Sequence, residues 1–271
     1  MDIPKYLYHY TNIDSLALIL KNKTIRLNSL DRMDDRQEQE TADIKNLGQF
    51  IYVSSWAEEE KESIPMWIMY TNMEAGVRIK LRSNPFRRCK TNADNIEQLG
   101  FHVIKETDLE LDTFLPFNDM MEKGYYAVEG FKGEILKKIE YTNDPSLLYP
   151  KINYSEDKHL KLDFGILGRY KNLHWEFQKE WRYIMTIFPF VFGNPEDMLS
   201  QFTLTANKIY HGLEKQVFSY YDLHIDEEAY AQMEVTLSPK ITAGNRELIM
   251  NTILRYNPQI KVNDSSLLGL I

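Results

Sequence analysis

Three short stretches of this 271-residue chain combine an aromatic surface with one polar group able to do chemistry. They are Tyr8-His9-Tyr10, Met66-Trp67 with Tyr70 and the later Gly76, and Gln178-Lys179-Glu180-Trp181-Arg182. Aromatic faces suit a flat heterocycle, and a histidine can hydrogen-bond a ribose hydroxyl. A glutamate can stabilise a sugar cation or deprotonate an acceptor. Each stretch also has a plainer account. A lone histidine beside tyrosines is often a satisfied core residue, and Trp67 and Tyr70 on one helix face can be packing. Glu180 beside Arg182 can be a salt-bridged strand. Residue types and spacing leave both accounts open.

Other chemistries lack their residues. The six histidines (His9, His102, His159, His174, His211, His224) never form a His-x3-His pair, and the single Cys89 cannot build a thiolate site, so no metal is expected. No phosphate-binding Gly-x4-Gly-Lys-Ser/Thr run, dinucleotide Gly-x-Gly-x-x-Gly turn or Gly-x-Ser-x-Gly elbow is present.

The elements that must position these residues are legible in part. Leu7–Thr11 reads as a strand that turns at once into an apolar helix, Ile13–Leu20, with Thr11 as cap and Asp14 completing a Thr-x-x-Asp box. Thr24–Asn28 alternates as a strand, Phe50–Trp56 as a buried one, and Val77–Leu81 as a third. Ser63 opens a helix with Pro65 in its first turn, placing Met66, Trp67 and Tyr70 on one face. Two acidic segments, Asp31–Glu40 and Glu58–Glu62, are either solvated loops or borders of a cleft that begins at His9. Glu106–Asp112 is acidic and undecided. Gly124–Glu129 and Gly133–Tyr141 read as strands, with a hairpin around Gly130. Phe164–Asn172 reads as helical, Tyr183–Val191 as a strand, and Lys208–His211 and Tyr230–Leu237 as later strands. Arg246–Tyr256 reads as an amphipathic helix with Leu248, Ile249, Ile253 and Leu254 inward.

Composition bounds the class. At 43% hydrophobic and 13% aromatic the chain can bury a sizeable core. A net charge of -8 argues against holding duplex nucleic acid by a broad basic face, though Arg82, Arg87, Arg88 and Lys90 form a local patch. No opening signal peptide or 18-residue apolar run appears, so a cytoplasmic protein without membrane attachment is expected. With no repeat, linker or composition break, the economical reading is one α+β domain over residues 1–271 with an insertion at about 85–163.

The Tyr-His-Tyr-Thr opening, the Asn-Ser-Leu-Asp and acidic run after the second strand, Met-Trp-x-Met-Tyr with the later Gly-Val, and Glu-Trp-Arg together resemble a widespread family of uncharacterised microbial proteins. That family is similar to the ADP-ribosyltransferase superfamily. The resemblance spans most of the chain and is weakest between Pro85 and Asp163. It implies a split two-sheet α+β core, NAD as substrate, and ADP-ribose transfer to a macromolecular acceptor, protein favoured over nucleic acid by the acidic charge. His9 would bind and orient the ribose, with Tyr10 and Thr11 beside it. Tyr70 or Trp67 would stack on nicotinamide, and Glu180 would stabilise the ribose cation and then help activate the acceptor. Gln178 would complete a Gln-x-Glu turn. The resemblance departs at Leu81, where a tyrosine partner for Tyr70 would stand. A nucleotide-binding module without turnover, or a glycohydrolase of NAD, are the other expectations. A role as toxin or in conflict between phage and host is implied at family level only.

Overall fold

A computed structural model describes residues 2–91, 111–128, 134–154, 161–193 and 197–271. The chain begins β1 (Tyr6–Asn12), α1 (Ile13–Asn22), β2 (Thr24–Ser29), β3 (Ile51–Ala57), α2 (Ile64–Tyr70) and β4 (Gly76–Arg82). It continues β5 (Cys89–Thr91), β6 (Leu111–Thr113), α3 (Phe117–Lys123), β7 (Tyr125–Ala127), β8 (Leu136–Lys138), β9 (Glu140–Thr142), α4 (Pro145–Leu148) and β10 (Tyr170–Asn172). It closes β11 (Glu180–Pro189), α5 (Met198–Tyr210), β12 (Tyr220–His224), α6 (Glu227–Ala231), β13 (Glu234–Leu237), α7 (Ala243–Tyr256) and β14 (Lys261–Asn263). The fold is α+β, built on a mixed ten-stranded sheet with two small two-stranded sheets beside it. Among the described residues no helix is long and apolar enough to cross a membrane.

The sheet branches at β3. One edge of β3 pairs with β11 along its whole length, from Glu180 opposite Ala57 to Thr186 opposite Ile51. The other edge is shared. Its first half takes β2, with Asn28 opposite Val53, and β12 follows β2. Its last residue takes β1, with Tyr8 opposite Ala57, and β4, β13 and β14 follow. Between these two contacts the sheet is open. The run Phe50–Trp56 lacks polar alternation because β3 is covered on both faces: Tyr52 and Trp56 enter the main core, Ile51 and Val53 a second cluster with Leu47, Leu167 and Ile184.

α1 buries Leu16, Ile19 and Leu20 at helical spacing, each contributing about 1.5–3 kcal/mol. Its cap is Asn12, whose side chain accepts from the Ser15 N–H at 3.3 Å. Thr11 is not the cap: it lies one residue earlier in the β1 ladder, opposite Val77, and Asn12, the last residue of that ladder, takes the role while the helix begins at Ile13. Gly76, where β4 begins, is required by crowding: a Cβ there would stand 2.6 Å from Thr71 Oγ1 and 3.0 Å from the Asn72 carbonyl.

Other expectations change with tertiary context. Phe164–Asn172 is not a helix; it is turns followed by β10, which pairs with β9. Lys208–Tyr210 is the end of α5 rather than a strand, and Tyr230 lies in α6 ahead of β13. Of the apolar face expected for α7, Ile249 and Ile253 are buried while Leu248 and Leu254 are 57% and 68% exposed. The point about Gly130 and most of Glu106–Asp112 lie outside the described residues. β7 and β8 do not pair with each other; both pair with β11, so this part of the 85–163 segment joins the main sheet.

One polar pin holds the helical layer. The buried Tyr230 hydroxyl donates to the Leu20 carbonyl at 2.8 Å and lies 3.2 Å from the Tyr256 carbonyl, tying the ends of α1 and α7. Tyr230→Phe removes the donor and leaves both carbonyls without it, a loss of about 1–2 kcal/mol. Urea unfolding should show a lower midpoint at unchanged slope. An unchanged midpoint would remove this pin from the account of α1–α7 docking.

Candidate active site

β11 carries charge into the core by alternation. Glu180 and Arg182 are two apart on a strand and therefore point to one face, inside a run whose eight first residues are all buried. A buried guanidinium costs several kcal/mol unless it is neutralised and hydrogen-bonded. Arg182 is fully buried and has both. Its Nε donates to Glu180 Oε1 at 2.5 Å, its Nη2 to Glu38 Oε1 at 3.0 Å, and its Nη1 to Glu38 Oε2 and to the Gly168 carbonyl at 3.2 Å. Lys171 of β10 completes the set, 2.9 Å from Glu180 Oε2 and 3.1 Å from Glu38 Oε1. Two carboxylates and two cations, each side chain at most 6% exposed, thus form a neutral cluster.

The approach to Glu180 is shaped by a 3-10 turn, Leu173–Gln178, and by Lys179 in the left-handed region at φ 44°. That conformation is costly for a residue with a Cβ. It lets Gln178 and Glu180, two apart, both reach Lys171 Nζ, which donates to Gln178 Oε1 at 2.8 Å. The Gln178 amide in turn donates to the Tyr70 hydroxyl, and the Tyr141 hydroxyl accepts from the Glu180 N–H at 2.9 Å. Burial would push the Glu180 carboxyl up, but Arg182 and Lys171 outweigh it and hold the group below the usual carboxylate range. Burial, reinforced by the Glu180 charge, pushes the Tyr70 phenol up, so it stays protonated.

His9 arrives from the opening in the sheet. Its Nδ1 lies 2.9 Å from the Ser55 carbonyl, in the stretch of β3 between the β2 and β1 contacts. A carbonyl only accepts, so Nδ1 carries the proton and Nε2 is left as an acceptor. The ring rests against Trp56 with centroids 5.0 Å apart. Burial lowers its pKa, partly opposed by the bond to Ser55, so the imidazole is neutral at pH 7.

These groups line one cavity of about 380 Å³, within the range of ligand pockets. Tyr8, Ala57 and Glu180 oppose one another in the ladders and share a face, so alternation places His9 on the other. Both reach the cavity because its walls include α1 residues such as Ser15 and Leu18 on the His9 side and Tyr70, Gln178 and Lys171 on the Glu180 side. His9, Tyr70, Glu180, Gln178, Tyr10 and Thr11 all line it.

Trp67 does not. It is fully buried, edge-on to Tyr10 at 5.0 Å, with its indole N–H donating to Glu62 at 2.9 Å. Its place on the inner side of α2 makes it the support beneath Tyr70, not a surface for a ligand. Tyr10 is similarly engaged, its hydroxyl accepting from the Ser63 N–H at 3.0 Å. The acidic segments also part ways. Arg32, Asp34, Asp35 and Glu38 belong to the cavity wall. The second segment lies off it: Glu58 accepts from Lys138 and the Trp181 indole, and Glu62 from Trp67, Ser265 and Ser266.

Sequence reasoning missed Glu38, Lys171, Ser55 and Tyr141. One signal pointed toward Glu38: an arginine two residues from a glutamate in an apolar strand needs a second acid. Among the described residues no group of three or more His, Cys, Asp or Glu could hold a metal.

A model of a family described as a protein of unknown function (DUF2971) matches residues 66–183, which takes in Tyr70 and Glu180 and stops short of His9. No curated protein matches the chain. Among solved structures, DarT of Thermus sp. 2.9 in complex with carba-NAD+ is similar at 9% identity and a TM-score of 0.30, over 98% of this chain and 97% of that one. At that score the likeness is too slight to bear on what this chain does.

Proposed function

We propose that the cavity binds NAD and that the protein transfers ADP-ribose to a macromolecular acceptor, protein rather than nucleic acid given the net charge of -8. The observation that carries this reading is the meeting of His9, Tyr70 and Glu180 at one cavity, from three remote parts of the chain. The resemblance of those same stretches to ADP-ribosyltransferases supplies the reaction. In it the bond between the ribose C1′ and the nicotinamide nitrogen breaks, nicotinamide leaves with the electron pair, and an acceptor nucleophile takes the ribose carbon.

In this reading His9 Nε2 accepts from a ribose hydroxyl and Tyr70 flanks the nicotinamide. The Glu180 carboxylate, ionised at neutral pH, opposes the positive charge that develops on the ribose. Arg32, exposed in the same wall and without an acidic partner among the described residues, is available to the diphosphate. A second reading, a nucleotide-binding module without turnover, is favoured by one observation: both Glu180 oxygens already accept from Arg182 or Lys171. Nicotinamide release from NAD separates the readings. Release that needs cell lysate supports a transferase, and release without lysate a glycohydrolase. NAD binding without release supports the module, and neither binding nor release defeats all three.

Glu180→Gln and Glu38→Gln each remove one negative charge from the same buried cluster, costing up to about 3–5 kcal/mol of stability. If Glu180 acts on the ribose cation, its variant should lose about 10²-fold or more in nicotinamide release at nearly unchanged NAD affinity. Glu38→Gln should lose stability without a comparable loss of rate. Equal losses in the two variants would reduce Glu180 to a structural partner of Arg182.

His9 sets an acid limit. Its folded pKa lies below the ordinary value of about 6.5, so as pH falls the unfolded chain takes up the proton first. The stability tied to neutral His9 is therefore present above that value and is lost progressively below it. Protonation in the folded state would also set an imidazolium beside the ribose cation. Nicotinamide release, assayed where the protein remains folded, should fall toward pH 5, and His9→Ala should be weaker in both NAD affinity and rate with that fall abolished. An acid limb retained in His9→Ala would assign it to another group.

A further inference from the structure

Arg26 is a strand residue with 40% of its side chain exposed, yet its guanidinium is held along one edge and against one face. Nε and Nη2 donate to Asp222 Oδ1 and Oδ2, both at 2.9 Å, across the ladder that puts the two residues opposite each other. The guanidinium carbon lies 3.5 Å over the centre of the Tyr220 ring. An exposed ion pair contributes about 0–1 kcal/mol to stability and commonly leaves its side chains free to swing. Here the two-pronged carboxylate and the ring behind fix the plane. Arg26 and Asp222 both line the cavity and Tyr220 does not; the ring backs one flat side of the guanidinium and leaves the other side uncovered by it.

We infer that this free side is the shelf on which the adenine of the dinucleotide stacks, an inference that rests on the NAD reading above and concerns the far end of that substrate. A planar, delocalised and weakly hydrated cation stacks on nucleobases where an ammonium does not. The placement fits. β12, β2, β3 and β11 are neighbours in that order. Asn28 faces Val53, which lies on the Ala57 side of β3, so Arg26, two residues from Asn28, shares the face of Glu180. Two strand spacings, about 10 Å, separate β2 from β11, and the distance grows where β2 leaves β3. The shelf and the reacting carboxylate thus line one cavity from strands about 10 Å apart, a separation that the two halves of a dinucleotide can span.

Arg26→Lys keeps the charge and removes the plane. Calorimetric titration of wild type and Arg26→Lys with NAD, ADP and nicotinamide mononucleotide should show NAD and ADP weakened about tenfold and the mononucleotide by less than twofold. Tyr220→Leu, which removes the backing ring, should give the same pattern in smaller measure and serves if Arg26→Lys does not fold, as judged by thermal melting. Equal weakening of NAD and the mononucleotide, or none of either, would overturn the shelf while leaving the NAD reading intact. ADP binding that depends on Arg26 in a protein that does not bind NAD would keep the shelf and overturn that reading. Wild type that binds none of the three overturns both.

Discussion

The neutralisation of Arg182 is the constraint on which the rest of the site depends. A guanidinium without solvent access cannot be left unpaired, and one carboxylate would satisfy only part of its five donors. Glu180 from its own strand and Glu38 from a distant 3-10 turn, Arg36–Gln39, together surround it, and Lys171 balances the second acid. Three segments, two of them close in sequence and the third remote, are thereby drawn to one point. The same requirement fixes the orientation of the Glu180 carboxylate at the cavity wall and keeps it ionised. The cluster is neutral as a whole, so each member is tolerable in the interior only while the others remain.

The second organising feature is the gap in the sheet. β3 cannot pair with β1 and β2 along the same length of one edge, so the two strands share it and diverge. A ladder interrupted in the interior leaves a backbone carbonyl to be satisfied by other means. At Ser55 the means is the His9 ring, which donates to the carbonyl and leaves its other nitrogen as an acceptor. Binding space and a defined histidine tautomer arise together from one missing stretch of ladder. That gap also lets side chains from both faces of the sheet reach one cavity.

The far C-terminal segment contributes at a distance. Glu62 accepts from Ser265, from both the N–H and the hydroxyl of Ser266, and from the Trp67 indole. Leu267 packs beside Met66, Tyr70 and Met73. These contacts clamp the start of α2, with Ser63 as its cap, and hold Tyr70 where Gln178 meets its hydroxyl. The second acidic segment is thus the anchor of a helix that reaches the cavity, not a border of the cavity itself.

The sequence by itself determined the local elements whose signals are local. β1, β2, β3 and β4 follow from alternation or a β-branched and aromatic run, and Ser63 with Pro65 marks the start of α2 through backbone geometry that neighbours do not change. The three stretches carrying His9, Tyr70 and Glu180 were legible as candidates for chemistry because each sets one polar group among aromatics. Only the tertiary structure decided which of them meet, since that depends on strand order and on a gap no single segment encodes. Glu38 lies in a run that is polar but for Met33 and reads as either a solvated loop or a border of a cleft; it became buried through Arg182, 144 positions away. Trp67 and Tyr70 both read as lying on one helix face; Glu62, tied down by Ser265 and Ser266, holds the first as support, and the second lines the cavity. Local propensity sets what a segment can form, while burial of charge sets where it must go.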